Sequence, residues 1–414
     1  MAQGFRSISM DEAQALPRWR RPEALLYVMA AAMPIAFSTW QALLNNFVIE
    51  AANFTGVQIG WLQSVREVPG FLAIGVILVL MVMREQMLAL MSLVLLGAAV
   101  AATALFPSFG GLLATTILSS IGFHYFQTVN QSLQLQWIDR ERAPRTLGRI
   151  VALGSAASLG AYLVLVLTWR RFDLSFETVY AVAGAATAVA AVVCFLLYPQ
   201  FRSRTPQQAR FVLRRRYWLY YALQLASGAR RQIFVVFAAF MMVQRFGFHV
   251  DQITVLFIIN YAANMVLAPV VGRLLGRFGE RSLLTFEYAG LLAIFLAYAG
   301  IYHFGWGGWV AAGLYVVDQI FFALAFAMTT YFQKICDPED IAPTAAVSFT
   351  INHIAAVFLP VALGYVWIQS PGAVFGLAAG IATVSLGLAL LIPRHPAKGN
   401  ETLFSRLLPA QPAE

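Results

Sequence analysis

The sequence predicts an all-α, polytopic membrane protein whose twelve transmembrane helices form two pseudo-symmetric six-helix bundles. Of its 414 residues, 60% are hydrophobic and 11% are charged, whereas soluble domains carry about 25% charged residues. The apolar residues are also gathered into long runs, and about 20 such residues span a bilayer as a helix. This composition excludes a soluble enzyme, a disordered protein and a nucleic-acid-binding protein.

Twelve apolar runs have the length of a membrane-spanning helix. They fall at 24–49, 57–83, 87–107, 110–136, 146–169, 175–198, 217–243, 250–275, 282–303, 308–333, 344–368 and 371–393. If both termini are cytoplasmic, 22 of the 28 Lys and Arg residues lie in cytoplasmic segments and 3 in external ones. Because basic residues concentrate in cytoplasmic loops, we expect cytoplasmic termini and a multi-pass protein of the plasma (inner) membrane.

A basic polar segment at 199–216 divides the chain into two halves. It predicts six-helix bundles at 24–198 and 217–393, flanked by a cytoplasmic N-terminal segment at 1–23 and a C-terminal tail at 394–414. Short similarities recur between the halves: the pattern Phe-x-x-x-Gln-Ile begins at Phe54 and again at Phe248. Duplicated halves of transporters hold the substrate site between them, although chance similarity in so biased a composition is the alternative.

The segment between the eighth and ninth spans carries a recognisable motif, Gly-Arg-Leu-Leu-Gly-Arg-Phe-Gly-Glu-Arg. It is similar to the loop motif G-x-x-x-D-R-x-G-R-[KR] of the major facilitator superfamily. The residues that match are Gly272, Arg277, Gly279 and Arg281. Gly276 and Glu280 depart from the motif, and the corresponding loop at 83–86 has lost it. The resemblance implies a secondary transporter whose first, fourth, seventh and tenth spans line a central cavity, with this motif controlling its opening.

Five charged residues lie well inside the predicted spans: Arg66, Glu67, Arg230, Arg231 and Asp318. Each costs roughly 3 kcal/mol in contact with lipid, so these side chains must face protein, water or one another. The adjacent Arg66 and Glu67 are expected to point in different directions, with one lining the pathway. The alternative is that such charges pair structurally between helices.

Polar residues at helical spacing mark one face of several spans. The fourth span carries the longest such stripe: Thr116, Ser120, His124, Gln127, Gln131 and Gln134. Shorter stripes occur in the first span, with Ser38, Gln41 and Asn45, and in the seventh, with Gln224, Ser227 and Arg231. They indicate a water-filled pathway, or alternatively hydrogen-bonded seams between helices.

Further polar groups complete the predicted site. Arg230 is a candidate for binding the solute together with Arg231, but it lies off the stripe of the seventh span, and the alternative expected for it is pairing with an acid at a helix interface. Glu287 is expected to pair with Arg277 or Arg281. The remaining candidates for binding the solute are Tyr315, Asn260 and Asn264. A buried carboxylate or imidazole can change protonation within accessible pH, which makes Asp318, Glu67 and His353 the candidates for proton coupling.

A midplane arginine binds anions. The sequence therefore predicts a non-enzymatic secondary transporter of a small anionic or zwitterionic solute, coupled to protons and working by alternating access. The partners expected are the lipid bilayer, the solute and protons, with no nucleic acid; a monomer without cofactor or metal is expected. Two alternatives stay open: a broad-specificity exporter of amphipathic compounds, and a non-transporting receptor on the same scaffold.

Overall fold

The computed structural model describes residues 7–72, 75–138, 143–201, 213–337 and 340–405. It confirms the predicted all-α fold of a polytopic membrane protein. Its helices are α1 (Met10–Gln14), α2 (Pro22–Glu50), α3 (Gly56–Phe71), α4 (Gly75–Leu80), α5 (Glu85–Ala102), α6 (Phe109–Trp137), α7 (Ala143–Trp169), α8 (Phe176–Leu197), α9 (Trp218–Gln232), α10 (Ala239–Phe246), α11 (Val250–Phe304), α12 (Gly308–Phe322), α13 (Phe326–Ile335), α14 (Ile341–Gln369) and α15 (Pro371–Leu390). Two short parallel strands, β1 (Ser7–Ile8) and β2 (Gln200–Phe201), pair with each other.

The described residues contain eleven helices that are long and apolar enough to cross a membrane. The second predicted span, 57–83, is divided into α3 and α4 and therefore does not count among them. The eighth and ninth spans are joined in α11, whose helical backbone is interrupted at Gly279 (φ 76°, ψ 171°). Glycine reaches this positive φ without the steric cost that a Cβ would bring.

The chain forms two compact units. The first comprises Met1–Phe54, Val65–Gln208 and His249–Ile258, and the second comprises Thr55–Ser64, Ala209–Phe248 and Ile259–Glu414. The units therefore differ from the predicted halves at two ten-residue segments, Thr55–Ser64 and His249–Ile258. These segments begin 194 residues apart (249 minus 55), the spacing of the predicted repeat. Most of the predicted linker, 202–212, lies outside the described residues.

Each of these two segments packs within the unit that it joins. In the second unit, the hydroxyl of Ser64 accepts a hydrogen bond from the backbone N–H of Val361 over 3.2 Å. In the first unit, Arg170 forms an ion pair with Asp251 over 3.1 Å.

The repeated sequence at Phe54 and Phe248 adopts the same local structure in both places. The side-chain oxygen of Gln58 accepts from the backbone N–H of Thr55 over 2.8 Å, and Gln252 accepts from His249 over 2.9 Å. In both cases the glutamine closes the first turn of a helix, as the last residue of a capping box does. The pattern Phe-x-x-x-Gln-Ile is therefore a helix-start signal that occurs once in each half.

The turn before each of these helices is also repeated. The backbone N–H of Phe54 donates to Val48, six residues earlier, over 2.9 Å, and that of Phe248 donates to Met242 over 3.1 Å. In both turns the residue just before the phenylalanine has a positive φ, 51° in one and 64° in the other. A left-handed residue just after a helix is a common helix ending, and its recurrence here with the same backbone bond supports a duplication.

Small residues allow the helices of the first unit to approach closely. A Cβ added at Gly97 of α5 would lie 2.5 Å from the carbonyl oxygen of Gly184 in α8. A Cβ added at Gly122 of α6 would lie 2.6 Å from backbone atoms of α5. Because apolar surface gives no driving force in lipid, such close contacts supply the stabilisation of membrane helix pairs. They hold α5 between α6 and α8.

Candidate functional site

In the second unit, Arg231 near the end of α9 is half-buried and contacts α14. Its Nη2 donates to Oδ1 of Asn352 over 3.0 Å, and Nδ2 of Asn352 donates to the backbone oxygen of Gln224 over 3.3 Å. The side chain of Gln224 donates in turn to the hydroxyl of Tyr220 over 2.9 Å. Arg231 and Gln224, predicted to share a helix face, are thus connected through one amide of the neighbouring helix.

Close approach of two backbones makes this contact possible. A Cβ added at Gly228 of α9 would lie 2.5 Å from the backbone oxygen of Asn352. The absence of a side chain at this position lets α14 come near enough for the Asn352 amide to reach both Gln224 and Arg231.

A π-helical turn over Ile233–Ala238 follows directly after the two arginines of α9. Its backbone hydrogen bonds run from residue i to i+5, one residue further than in an α-helix, and π turns in helices often lie at functional sites. Its residues are a run of aromatic and β-branched side chains, a pattern that does not predict a π turn. It separates the arginine-bearing part of this span from α10.

Arg230 has different surroundings from its neighbour Arg231. Its Nη2 lies 3.6 Å from Oε1 of Glu287 on α11, and both side chains are 1% exposed. The guanidinium also interacts electrostatically with Asp318 of α12 and lies 5.2 Å from the ring centre of Phe322. Arg230, Glu287 and Asp318 form a buried cluster, called the charge cluster below, in which one positive charge faces two carboxyl groups.

This cluster confirms one expectation from the sequence and corrects another. Arg230 pairs with an acid at a helix interface, as expected. The acid is Glu287. The sequence analysis predicted that Glu287 pairs with Arg277 or Arg281, and that prediction was wrong. Glu287 lies two helix turns beyond the break at Gly279 and faces α9. The spacing of residues along one helix does not show which neighbouring helix a side chain meets, so this partner could not be predicted.

In the first unit, Arg66 and Glu67 pair with each other. Nη2 of Arg66 lies 2.6 Å from Oε1 of Glu67, so the expectation that the two side chains point apart was wrong. The long arginine side chain bends back to its neighbour, and its guanidinium lies 5.9 Å from the ring centre of Trp40. The backbone oxygen of Arg66 accepts a hydrogen bond from the hydroxyl of Ser120 in α6.

The polar stripe of α6 divides into two parts. Thr116, Ser120 and His124 are buried, whereas Gln127 and Gln131 are exposed. A side-chain nitrogen of His124 lies within 4.8 Å of a carboxylate oxygen of Glu67. The buried part packs against a neighbouring helix, where Ser120 bonds to the backbone of Arg66, whereas the part around Gln127 and Gln131 is exposed.

The remaining predicted residues take varied positions. Gln41 and Asn264 are half-buried, Asn45 and Asn260 are buried, and Tyr315 is buried and stacks on Phe234 with 4.5 Å between ring centres. His353 is buried, with its Nδ1 2.8 Å from the backbone oxygen of Phe349. Ser38, which shares the stripe of Gln41 and Asn45, hydrogen-bonds to Ser158 over 3.1 Å and so also belongs to a helix seam.

The motif residues surround the break in α11. Gly272 and Arg277 are exposed, and Gly279 and Arg281 are half-buried. Glu280, which departs from the motif, is buried and pairs with Lys334 at the end of α13 over 2.6 Å. The acid at this position thereby ties the start of the ninth span to the end of the tenth.

The sequence pattern of the Major Facilitator Superfamily matches residues 24–360. This chain belongs to that superfamily. No curated protein matches it significantly. Among solved structures, the chain is similar to the nucleoside transporter NupG, with 15% identity, a TM-score of 0.69 and coverage of 89% of this chain and 98% of NupG.

Two further structures share the fold. A bacterial homologue of the iron transporter ferroportin, in an inward-facing state, has 10% identity and a TM-score of 0.73 over 91% of this chain and 99% of its own. A bacterial homologue of the human lysosomal transporter Spinster, inward-facing and occupied, has 14% identity and a TM-score of 0.68 over 94% of this chain and 98% of its own. At these identities the likeness shows the fold, and the fold class agrees with that predicted from the sequence.

Proposed function

We propose that this protein is a secondary transporter that moves a small anionic or zwitterionic solute by alternating access, with protons as the coupling ion. Membership of the superfamily supports transport as the general activity. The solved relatives are a nucleoside transporter and bacterial homologues of an iron transporter and of a lysosomal transporter. At identities of 10–15% they share the fold with this chain, so the solute must be inferred from the residues of this chain.

The observation that carries the proposal is the position of Arg231. Its guanidinium is half-buried at the level of the π turn and receives its orientation from an uncharged amide, Asn352. A carboxylate or phosphate can bind such a guanidinium through two parallel hydrogen bonds. Gln224 and Ser227 lie on the same face of α9 and offer polar groups for the rest of the solute.

Proton coupling rests on buried titratable groups. Asp318, Glu67 and His353 are all buried, and ionisable groups inside a membrane protein mark ion or proton pathways unless they have a purely structural partner. Glu67 has such a partner in Arg66. We therefore place Asp318 before Glu67 and His353 as the coupling residue.

The test is ligand-induced stabilisation of the purified protein, followed by flux measurements in liposomes. A panel of anionic, zwitterionic, cationic and neutral metabolites is screened by thermal shift at two pH values. A solute present at one hundred times its Kd stabilises the folded state by about 2.7 kcal/mol. Anionic or zwitterionic solutes should stabilise the protein and enter liposomes that contain it.

The matched variants are Arg231→Gln and Arg171→Gln, the second removing an exposed arginine outside the spans. Arg231→Gln should stay folded but lose the solute-induced stabilisation and the flux, while Arg171→Gln keeps both. Stabilisation only by neutral or cationic amphipathic compounds would favour the exporter instead. Full anion flux in Arg231→Gln would show that the solute binds elsewhere.

A further inference from the structure

The charge cluster in the second unit is not electrically balanced. It contains one guanidinium and two carboxyl groups, so its formal charge is −1 when both Glu287 and Asp318 are ionised. Arg230 and Glu287 are 1% exposed, and Asp318 is equally buried. An uncompensated charge in such surroundings costs several kcal/mol. Something of charge +1 must therefore accompany the cluster.

The hydrogen bonding of the charge cluster is also incomplete. None of the four carboxylate oxygens of Glu287 and Asp318 has a hydrogen-bond partner among the described residues, and Nε and Nη2 of Arg230 also lack one. Buried polar groups are almost always satisfied, and each exception calls for an explanation. A carboxyl group that takes up a proton becomes a hydrogen-bond donor and loses its negative charge in one step.

The other charged and titratable groups nearby do not supply the missing charge. Tyr288 and Tyr298 of α11 interact electrostatically with Glu287 and Asp318, but tyrosine is neutral at pH 7. Tyr315 of α12 is also a tyrosine and does not supply the missing charge either. Three helices pack beside α9. α15 has no titratable residue; α14 has Tyr365 and His353, whose Nδ1 is 2.8 Å from a backbone oxygen; and α13 has Tyr331 and Lys334, which pairs with Glu280.

We infer that Glu287 and Asp318 together hold one exchangeable proton beside Arg230, and that this pair is the coupling-proton site of the transporter. A proton fits the site better than a metal cation does. A hard cation needs about six oxygen ligands, and here it would lie beside a guanidinium of the same charge. Because the two carboxyl groups interact, the proton belongs to the pair and not to one residue.

The position of the pair links it to the proposed solute site. Arg230 and Arg231 are consecutive residues of α9, and the π turn follows them. A shift of this part of α9 that accompanies solute binding at Arg231 would change the distance between Arg230 and Glu287, and with it the affinity of the pair for its proton. The coupling role rests on the proposed function, whereas the presence of the proton does not.

The proton is tested by infrared spectroscopy of the purified protein at neutral pH. A protonated carboxyl group has a C=O stretch that is separate from the carboxylate and amide bands. The wild type should show one such buried group. Glu287→Gln and Asp318→Asn each leave one acid for one arginine, so both variants should lose the band. Arg230→Gln leaves two acids without a cation and should roughly double it.

Glu280→Gln is the matched control. Glu280 is a buried carboxylate of the same helix but has a one-to-one partner in Lys334, so its replacement should leave the band unchanged. Absence of the band in the wild type, or its persistence in both Glu287→Gln and Asp318→Asn, would overturn the inference. A band that appears only when sodium is removed would assign the site to a metal cation and would also overturn it.

Flux measurements then test the coupling role. In liposomes with a pH gradient, Glu287→Gln and Asp318→Asn should lose the gradient-driven accumulation of solute but keep exchange of solute across the membrane. Gradient-driven accumulation that persists in both variants would reject the role. If the wild type moves no anion but shows the expected infrared pattern, the proposed solute is wrong and the proton site stands. If the wild type moves anions but the infrared pattern is absent, the proposed solute stands and the proton site is wrong.

Discussion

Nη2 of Arg231 lies 3.0 Å from Oδ1 of Asn352, and this contact joins α9 to α14. Asn352 is uncharged and orients the guanidinium through its amide oxygen. The preceding residue, Arg230, instead lies beside Glu287 and Asp318. Two arginines that are consecutive in the sequence are therefore suited to two tasks: one can attract an anion, and the other holds buried carboxyl groups.

Replacement of Asn352 tests whether this orientation matters for solute binding. A hydrogen bond to a charged group contributes about 1.5–3 kcal/mol, and 1.4 kcal/mol corresponds to a tenfold change in Kd. We expect Asn352→Leu to raise the Kd for the solute about tenfold or more, measured by titration of the purified protein. Gln333→Leu, which replaces an exposed amide on α13, should leave the Kd unchanged. Equal affinities in the two variants would contradict the prediction.

Gly228→Ala should destabilise the protein. The new Cβ would lie 2.5 Å from the backbone oxygen of Asn352, and backbone cannot move aside as a flexible side chain does. Overpacking of this kind costs about 1–3 kcal/mol, so the thermal unfolding midpoint should fall. The control is Gly313→Ala in α12, where a Cβ meets nothing within 4 Å and alanine has the better helix propensity. A midpoint that is equal or higher in Gly228→Ala would show that α9 and α14 do not approach this closely.

Features that depend on local sequence could be predicted. Hydropathy located the spans, and the repeated pattern at Phe54 and Phe248 predicted a duplication that the matching helix starts support. The π turn after Arg231 was not anticipated, because aromatic and β-branched runs also occur in ordinary membrane helices. The division of the second span into α3 and α4 was likewise missed, since an apolar run does not show where a helix pauses.

Side-chain partners were predicted less well than helices. Helical spacing placed Arg231 and Gln224 on one face of the helix and Arg230 on another, and this agrees with their contacts. The partner of Arg230 was not identified, because Glu287 reaches it only through the approach of two helices 57 residues apart in sequence (287 minus 230). The stripe of α6 shows the same limit: polarity marked the face of the helix but did not tell a water pathway from a seam.

The break in α11 should depend on the glycine at its centre. Gly279 has a φ of 76°, and residues with a Cβ adopt such a conformation at a cost of about 1–3 kcal/mol. We expect Gly279→Ala to lower the thermal unfolding midpoint and to slow transport, since the two spans on either side of it must keep their angle. Gly276→Ala, three residues earlier in open helical surroundings, should be tolerated. The prediction fails if the two variants behave alike.

The loop after α13 provides a prediction about pH. Nζ of Lys398 lies 2.6 Å from Oδ1 of Asp337, and Arg216 contacts the other oxygen. The hydrogen bond from Lys398, followed by that from Arg216, lowers the pKa of Asp337 below its ordinary value. A lowered pKa in the folded state means that the ionised carboxylate stabilises the fold above the pKa of the unfolded chain, about 3.9. This contribution is lost as the pH falls through the folded-state pKa.

A double-mutant cycle with Asp337→Asn and Lys398→Met measures this contribution. Lys398 is 67% exposed, so solvent screens the pair and the coupling free energy at pH 7 should be about 0.5–1 kcal/mol. Unfolding free energies of the four proteins should show this coupling at pH 7, and it should shrink progressively below about pH 4, the range in which aspartate takes up its proton. A coupling that stays constant down to low pH would mean that the lysine stabilises the loop by a contact other than its bond to the carboxylate.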